Sequence, residues 1–400
     1  FLYRGTLNQG NSGYDLGFSN TGTLGGVGSG ITEAKFEAPY LSWEIEDKRN
    51  YGIDLGFFDN RIDLQVDYFN NKRHAILLQR SSVPGVVGFF ENPWQNYGIV
   101  KNHGVDASLN LNHRIGEVKL SARGNFTFAR NEIIEYDQVP QRYPWMEKNG
   151  TRLNSWNLYI ADGLYTYDDF IITGEGLNRQ YELKPGVIPG VSQNVRPGDI
   201  KYKDLNGDGR IDGNDMMQDV GHPSVPEIVY GFGFNAEWRG FYAGVFFQGA
   251  GNTSTLLGAS ADAGGKDGTF FPFGWGLYES TVRAEVANRW TEDNRTGVKY
   301  PRIIDTYGER LYYDQIYPTS STITRATMLE NVSFLRVKNM SLSYSLPLDV
   351  VSKMGISSLS FSFILTNLFT ITNYSGLDPE TPGATYPLAR SCSFGLSLGF

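Results

Sequence analysis

Cysteine is almost missing: Cys392 is alone among 400 residues. A single thiol makes neither an internal disulfide nor a thiolate metal site. Histidine is scarce, and His74, His103, His113 and His222 are too scattered to make a metal-ligating pair at helical spacing. Positive charge is in deficit. Lys and Arg number 35 against 43 Asp and Glu, giving a net charge of −8. That argues against nucleic acid, which wants a basic face. No apolar run approaches the roughly 18 residues of a membrane helix. No Ser-His-Asp, Cys-His or paired-carboxylate set is visible, so no enzyme is expected. The chain starts at Phe1 without a signal-peptide pattern, which predicts a mature or truncated piece.

Aromatic residues (14%) and glycine (47 residues) are plentiful, while the mean hydropathy is slightly negative. That mixture suits a surface half apolar and half wet, so any membrane contact must come from alternating strands. Period-2 alternation runs through Tyr51–Phe57, Ile62–Tyr68, Val105–Leu111, Val118–Phe128, Tyr230–Ala236, Phe241–Phe247, Leu359–Leu365 and Phe394–Phe400. A further strand at Phe334–Leu346 slips phase by one residue, which predicts a β-bulge near Lys338-Asn339. Leu7–Trp43 reads as a polar loop, and its GGVGSG run (Gly25–Gly30) as flexible chain rather than a nucleotide site.

The connections alternate in length. Tight turns fall at Asp59, Ile115 and Arg239, and a moderate link at Pro347–Ile356. Between them lie long segments at Lys72–Val100, Ile133–Glu227, Gly251–Asn331 and Thr370–Ala389. With strands running up and down, all long segments fall at one end. That asymmetry predicts an all-β transmembrane antiparallel barrel with long extracellular loops and short periplasmic turns. The strands found, with a stub at Phe1, do not close a barrel, and open edges in lipid are too costly. A larger barrel, of which this is the C-terminal part, is expected.

The most specific short motif is Asp204–Asp215, DLNGDGRIDGND, inside the segment 133–227. Oxygen-bearing side chains stand at loop positions 1, 3, 5, 9 and 12: Asp204, Asn206, Asp208, Asp212 and Asp215. Gly209 holds the sharp-turn position, and Arg210 offers its carbonyl. Hard donors at this spacing predict a structural Ca²⁺. Asp215 replaces the Glu of an EF-hand, and no helix leads in. The alternative is a polar turn without an ion. Trp43, Trp94, Trp145, Trp156, Trp275 and Trp290 lie in or beside long segments, as sugar-stacking faces or as ordinary loop-core and girdle residues.

These residues resemble the SusC/RagA-like TonB-dependent outer-membrane transporters of the Bacteroidota. The matching stretches include NYGIDLGFFDNRIDLQVDYFNNK (Asn50–Lys72), NHGVDASL (Asn102–Leu109), FTFARNEIIE (Phe126–Glu135), YIADGLY (Tyr159–Tyr165) and RPGDIKYKDLNGDGRIDGNDM (Arg196–Met216). They continue through PEIVYGFGFNAEWRGFYAGVFFQGAGN (Pro226–Asn252), NRWTEDN (Asn288–Asn294), FLRVKNMSLSYSLP (Phe334–Pro347), NLFTITNYSGLDPE (Asn367–Glu380) and YPLARSCSFGLSLGF (Tyr386–Phe400). The resemblance implies a barrel of about 22 strands. Residues 1–400 would be its C-terminal portion, without the plug domain and the first barrel half. It implies a SusD-like surface lipoprotein as lid, TonB engaged through the missing N-terminal region, and oligosaccharide or peptide cargo. Phe394, Leu396, Leu398 and Phe400 resemble the terminal signal read by the barrel-assembly machinery, against the plainer reading of an ordinary last strand. The rival function is an outer-membrane barrel that only anchors ligand-binding or adhesive loops.

Overall fold

A computed structural model describes residues 17–23, 29–35, 38, 40–88, 91–190, 195–256, 288–298, 300–302, 329–382 and 387–400. The stub expected at Phe1–Thr6, and Trp275, lie outside them. In chain order the strands are β1 (Gly17–Thr23), β2 (Ser29–Lys35), β3 (Ile45–Asp47), β4 (Asn50–Phe57), β5 (Ile62–Gln79), β6 (Trp94–Ile115) and β7 (Val118–Glu135). There follow β8 (Trp156–Tyr159), β9 (Ala161–Leu164), β10 (Phe170–Thr173), β11 (Gln180–Leu183), β12 (Ile200–Tyr202) and β13 (Met216–Val220). Next come β14 (Ile228–Trp238), β15 (Phe241–Gly251), β16 (Ser254–Leu256), β17 (Leu329–Asn331) and β18 (Phe334–Ser345). A one-turn helix α1 (Leu348–Val351), β19 (Ser358–Thr366), β20 (Thr370–Thr372) and β21 (Ser391–Gly399) complete the chain.

One sheet of 11 strands dominates, in the order β21-β19-β18-β15-β14-β7-β6-β5-β3, with β4 added on β5 and β20 on β18. The chain divides into two compact units. One holds residues 1–54, 65–107 and 127–153; the other holds 55–64, 108–126 and 154–400.

In the second unit the antiparallel register sorts the side chains into two faces. One row across the strands reads Ala236, Ala243, Leu342, Phe363, Phe394. The next reads Trp238, Phe241, Tyr344, Phe361, Leu396. The opposite face carries Asn235, Gly244, Ser341, Ile364, Ser393 and then Glu237, Tyr242, Ser343, Ser362, Gly395. The apolar rows carry strongly exposed side chains: Leu342, Phe394 and Leu396 are 51%, 72% and 61% exposed. Exposed apolar rows of this kind suit a face covered by lipid or by protein. Trp238 stacks on Phe241 (ring centroids 6.3 Å apart), and Phe241 meets Tyr344 (4.2 Å), beside the tight turn. Arg239 and Gly240 in that turn have φ of +46° and +85°, the left-handed pair a two-residue hairpin needs. A Cβ on Gly240 would sit 2.4 Å from the Ser345 carbonyl oxygen.

The predicted bulge is present. β15 pairs Phe246 with Asn339 and Phe247 with Val337, so Lys338 is the extra residue. Other expectations need correction. Leu7–Trp43 is not all loop, because β1 and β2 pair within it. Lys72–Val100 is mostly strand, and only residues 80–93 connect β5 to β6. Ala75 has φ +55°, which interrupts the period within β5 beyond the alternating run Ile62–Tyr68. Past that kink the strand resumes, with Ile76 and Leu78 against the bare face of Gly98. Segment 133–227 is not strand-poor: it holds three short antiparallel pairings, β8/β13, β9/β12 and β10/β11. Strands of three to five residues are too short to show a period.

Candidate functional site in the long connections

The Asp204–Asp215 loop is built on backbone amides. Asp204 Oδ1 accepts from Gly207 N (2.7 Å) and Asp208 N (3.3 Å), and its Oδ2 from Gly209 N (2.7 Å). Asn206 Oδ1 and Asp208 Oδ1 accept the N–H groups of Asp208 and Arg210, each at 2.9 Å. Asp212 caps a short 3-10 turn by accepting from Asn214 N (2.8 Å). Asp215 is fully buried and fastens both ends of the loop: Oδ1 accepts from Leu205 N (2.9 Å), Oδ2 from Asp212 N (2.8 Å). Among the described residues, no group of three or more His, Cys, Asp or Glu side chains is poised to hold a metal. The donor chemistry nonetheless fits a hard cation. All side-chain acceptors are oxygens with further lone pairs. Asp215 is a buried charge with amide partners and, among the described residues, no cationic side chain paired to it.

A small apolar core carries this loop. Tyr159, Ile200, Tyr202 and Ile211 are buried together, with Ala161, Leu164, Ile188 and Met216 against them. Ile211 comes from the loop itself, so the acidic turn is anchored from within. Burial raises the Tyr159 hydroxyl pKa, and the nearby Asp212 and Asp215 charges add to the shift.

Just before β12 the chain meets a segment about ninety residues away in sequence. Gly198 (φ +91°) lies under Trp290, where a Cβ would fall 2.5 Å from the indole. Arg302 donates from its backbone to the Gly198 carbonyl (2.9 Å) and from Nε to Asp199 Oδ1 (2.7 Å). The RPGD and NRW stretches are thus two halves of one contact. Farther along, the Tyr300 hydroxyl meets Ser375 Oγ (3.3 Å), and Ser375 donates to the buried Glu330 carboxylate.

Two charge clusters escaped the sequence reading. Arg336, 3% exposed, pairs with Asp378 and Glu380, and its Nε donates to Thr370 Oγ1 (2.8 Å). Lys338 Nζ reaches Glu380 at 2.6 Å. Together they pin the last long connection to β18 beside the bulge. The only sequence signal was two cations inside an otherwise apolar strand. In the first unit, Asp137 is buried and accepts from Ser82 N (2.9 Å) and Ser82 Oγ (2.7 Å), with Arg80 Nε at 3.0 Å. Burial opposes its ionisation, but Ser82 and Arg80 outweigh that and hold the carboxyl below its ordinary range. These contacts fix the base of the 80–93 connection.

The tryptophans scatter. Trp290 is buried, Trp145 stacks on Tyr143 (4.7 Å), Trp94 and Trp156 begin strands, and Trp43 is half exposed. They form no common platform among the described residues. Phe394, Leu396 and Leu398 stand on the apolar face of β21, the last strand in the sheet order, and Phe400 is exposed beyond it.

No family model matches the chain. TonB-dependent receptor P3 of Formosa agariphila is 25% identical over 93% of the chain and 36% of its own length. TonB-dependent receptor SusC of Bacteroides thetaiotaomicron is 22% identical over 90% of the chain and 32% of its own length. A solved structure of the RagAB peptide importer in the closed-closed state superposes at a TM-score of 0.63 with 23% identity. It covers 98% of this chain and 39% of that one. The chain is similar to the SusC/RagA-like TonB-dependent receptors. Its fold is all-β and antiparallel and matches the β-barrel of the RagAB importer. It spans roughly a third of the length of the curated receptors it matches. Those relatives bear receptor and importer names, not enzyme names.

Proposed function

We propose that this receptor-like chain is the C-terminal barrel portion of an outer-membrane importer. Energised by TonB through an N-terminal region, it would work with a SusD-like lipoprotein and carry oligosaccharides or peptides. The observation that carries this reading is the two-faced sheet: exposed apolar rows on one side, Ser, Gly and Asn on the other. A lipid-embedded wall around a polar lumen needs that division. The likeness to TonB-dependent receptors supports the energised import, and the likeness to the RagAB peptide importer supports peptide as one cargo class. The test is deletion of the full-length gene, followed by growth on defined oligosaccharides or on peptides as sole nutrient. Loss of growth on one class identifies the cargo. Unchanged growth on every substrate would favour a barrel that only displays its loops.

We also propose that Asp204, Asn206, Asp208, Asp212 and Asp215, with the Arg210 carbonyl, hold a structural Ca²⁺ that braces the connection between β7 and β14. The buried charge of Asp215 supports this reading. Bound calcium supplies positive charge to a turn whose carboxylates otherwise repel. Asp204→Ala with Asp208→Ala should lower the calcium content of the purified full-length receptor by one equivalent and speed proteolysis near residue 211. Unchanged ion content would sink the idea.

A further inference from the structure

The turn at residues 291–298 has its own set of internal bonds. It is closed on itself: Thr291 N and Asn294 N bond to each other's carbonyls at 3.0 and 3.1 Å. Asn294 N also reaches Thr291 Oγ1 (3.0 Å), and Arg295 Nε donates to the Glu292 carbonyl. A turn tied this way moves as one piece.

Its tethers are of two kinds. The inner ones are buried: Trp290 on Gly198, and Arg302 on Asp199, with side chains 14% and 10% exposed. The outer ones are wet. Glu292 Oε1 accepts from the Tyr167 hydroxyl (3.1 Å) and from Arg179 Nη1 (3.2 Å), and the Glu292 side chain is 58% exposed. The Arg295 guanidinium lies over the Tyr167 ring, 4.5 Å from its centroid. Burial first, then the bond to Glu292, pushes the Tyr167 pKa up to about 12, so the hydroxyl stays a donor at neutral pH. Exposed ion pairs are weak because water screens them and side-chain entropy opposes them. Breaking one partner of a buried pair leaves an uncompensated charge.

We propose that residues 291–298 form a flap hinged on Trp290. Its outer latch, Tyr167 with Glu292 and Arg295, opens while the buried hinge, Gly198 with Trp290 and Asp199 with Arg302, stays shut. Weakly tethered segments open locally at far lower free energy than the whole fold. Opening strips Arg295 from the Tyr167 ring, which keeps its contacts with the hinge Trp290 (6.0 Å between centroids) and with Tyr181 (6.3 Å), and bares one aromatic face. Such a face stacks on flat or ring-shaped groups. The flap follows from this chain's own geometry and does not depend on which cargo, if any, is imported.

The test uses the full-length receptor in outer-membrane vesicles, digested lightly with trypsin and mapped by mass spectrometry. Cleavage after Arg295 reads the flap; cleavage after Lys203, exposed just past β12, reads the connection that carries the hinge. Glu292→Gln and Tyr167→Phe should each raise cleavage after Arg295 about two- to fivefold and leave cleavage after Lys203 unchanged. Salt at about 1 M should do the same to the native protein, since the Debye length is then about 3 Å. Trp290→Ala should raise cleavage at both sites about tenfold or more. If that variant does not assemble, Arg302→Lys takes its place, with the same two-site response expected. No change after Arg295 in the latch variants overturns the proposal, as does an equal rise at both sites.

Discussion

The sheet and the long connections solve opposite problems with opposite means. The wall repeats one device many times: a like side chain on each strand in register, from Ala236 across to Phe394. Each residue contributes a little, and each has neighbours that do the same. The connections depend on a few specific contacts: a buried arginine with a lysine for the last connection, one aspartate for the 80–93 base, and an indole on a glycine beside one ion pair. Repetition tolerates substitution of like for like, whereas a buried charge pair does not tolerate loss of a partner.

The largest effect should come from the singular contacts. Arg336→Met leaves Asp378 and Glu380 without their buried cation and should cost about 3–5 kcal/mol. Thermal unfolding of the full-length receptor in detergent, with proteolysis mapped over residues 373–382, checks this. A change confined to under about 0.5 kcal/mol, typical of a surface substitution, would show that the last connection is held by something else.

Next comes the division of the sheet into faces. Leu342→Arg sets a charge on the apolar row and should cost about 2–4 kcal/mol if it lies near the bilayer midplane. Ser341→Arg, one residue away on the polar face, should cost far less. Denaturant unfolding in lipid vesicles measures both. Equal losses would erase the two-face assignment, and with it the lipid-embedded reading.

A smaller effect concerns Asp137, whose folded pKa is depressed below the ordinary 3.8. A depressed carboxyl binds its proton more weakly when folded than when unfolded. Its stabilisation is therefore fully present above the ordinary value and is lost as the pH falls through the lowered one. Asp137→Asn should lower the unfolding midpoint at pH 7, and the gap to the native protein should close as the pH drops below 3.8. A gap that persists in acid would assign the effect to hydrogen-bond geometry rather than charge.

Legibility in the sequence followed the same divide. The eight alternating runs spell out the wall, and the phase slip marks a bulge near Lys338-Asn339, which the register resolves to Lys338. The alternation is interrupted at Ala75, where a positive φ breaks the period within β5, and the prolines and glycines between residues 80 and 98 obscure the start of β6. The alternation fails again between residues 133 and 227, where β8 to β13 are too short to express a period. The acidic spacing of Asp204–Asp215 was plain, but its buried end was not. Nothing local shows that Asp215 loses all contact with water while Asp212 stays exposed.

The sequence alone determined the period-2 wall, the alternation of tight turns with long connections, and the acidic loop. These are local properties, set by the pleat and by the residue types that suit a turn. Tertiary structure alone decided which distant charges meet: Asp199 with Arg302, Arg336 with Asp378 and Glu380, Tyr167 with Glu292. A charged side chain carries no record of its partner along the chain. Only the fold, by excluding water from some of these pairs and leaving others wet, fixes which contacts are hinges and which are latches.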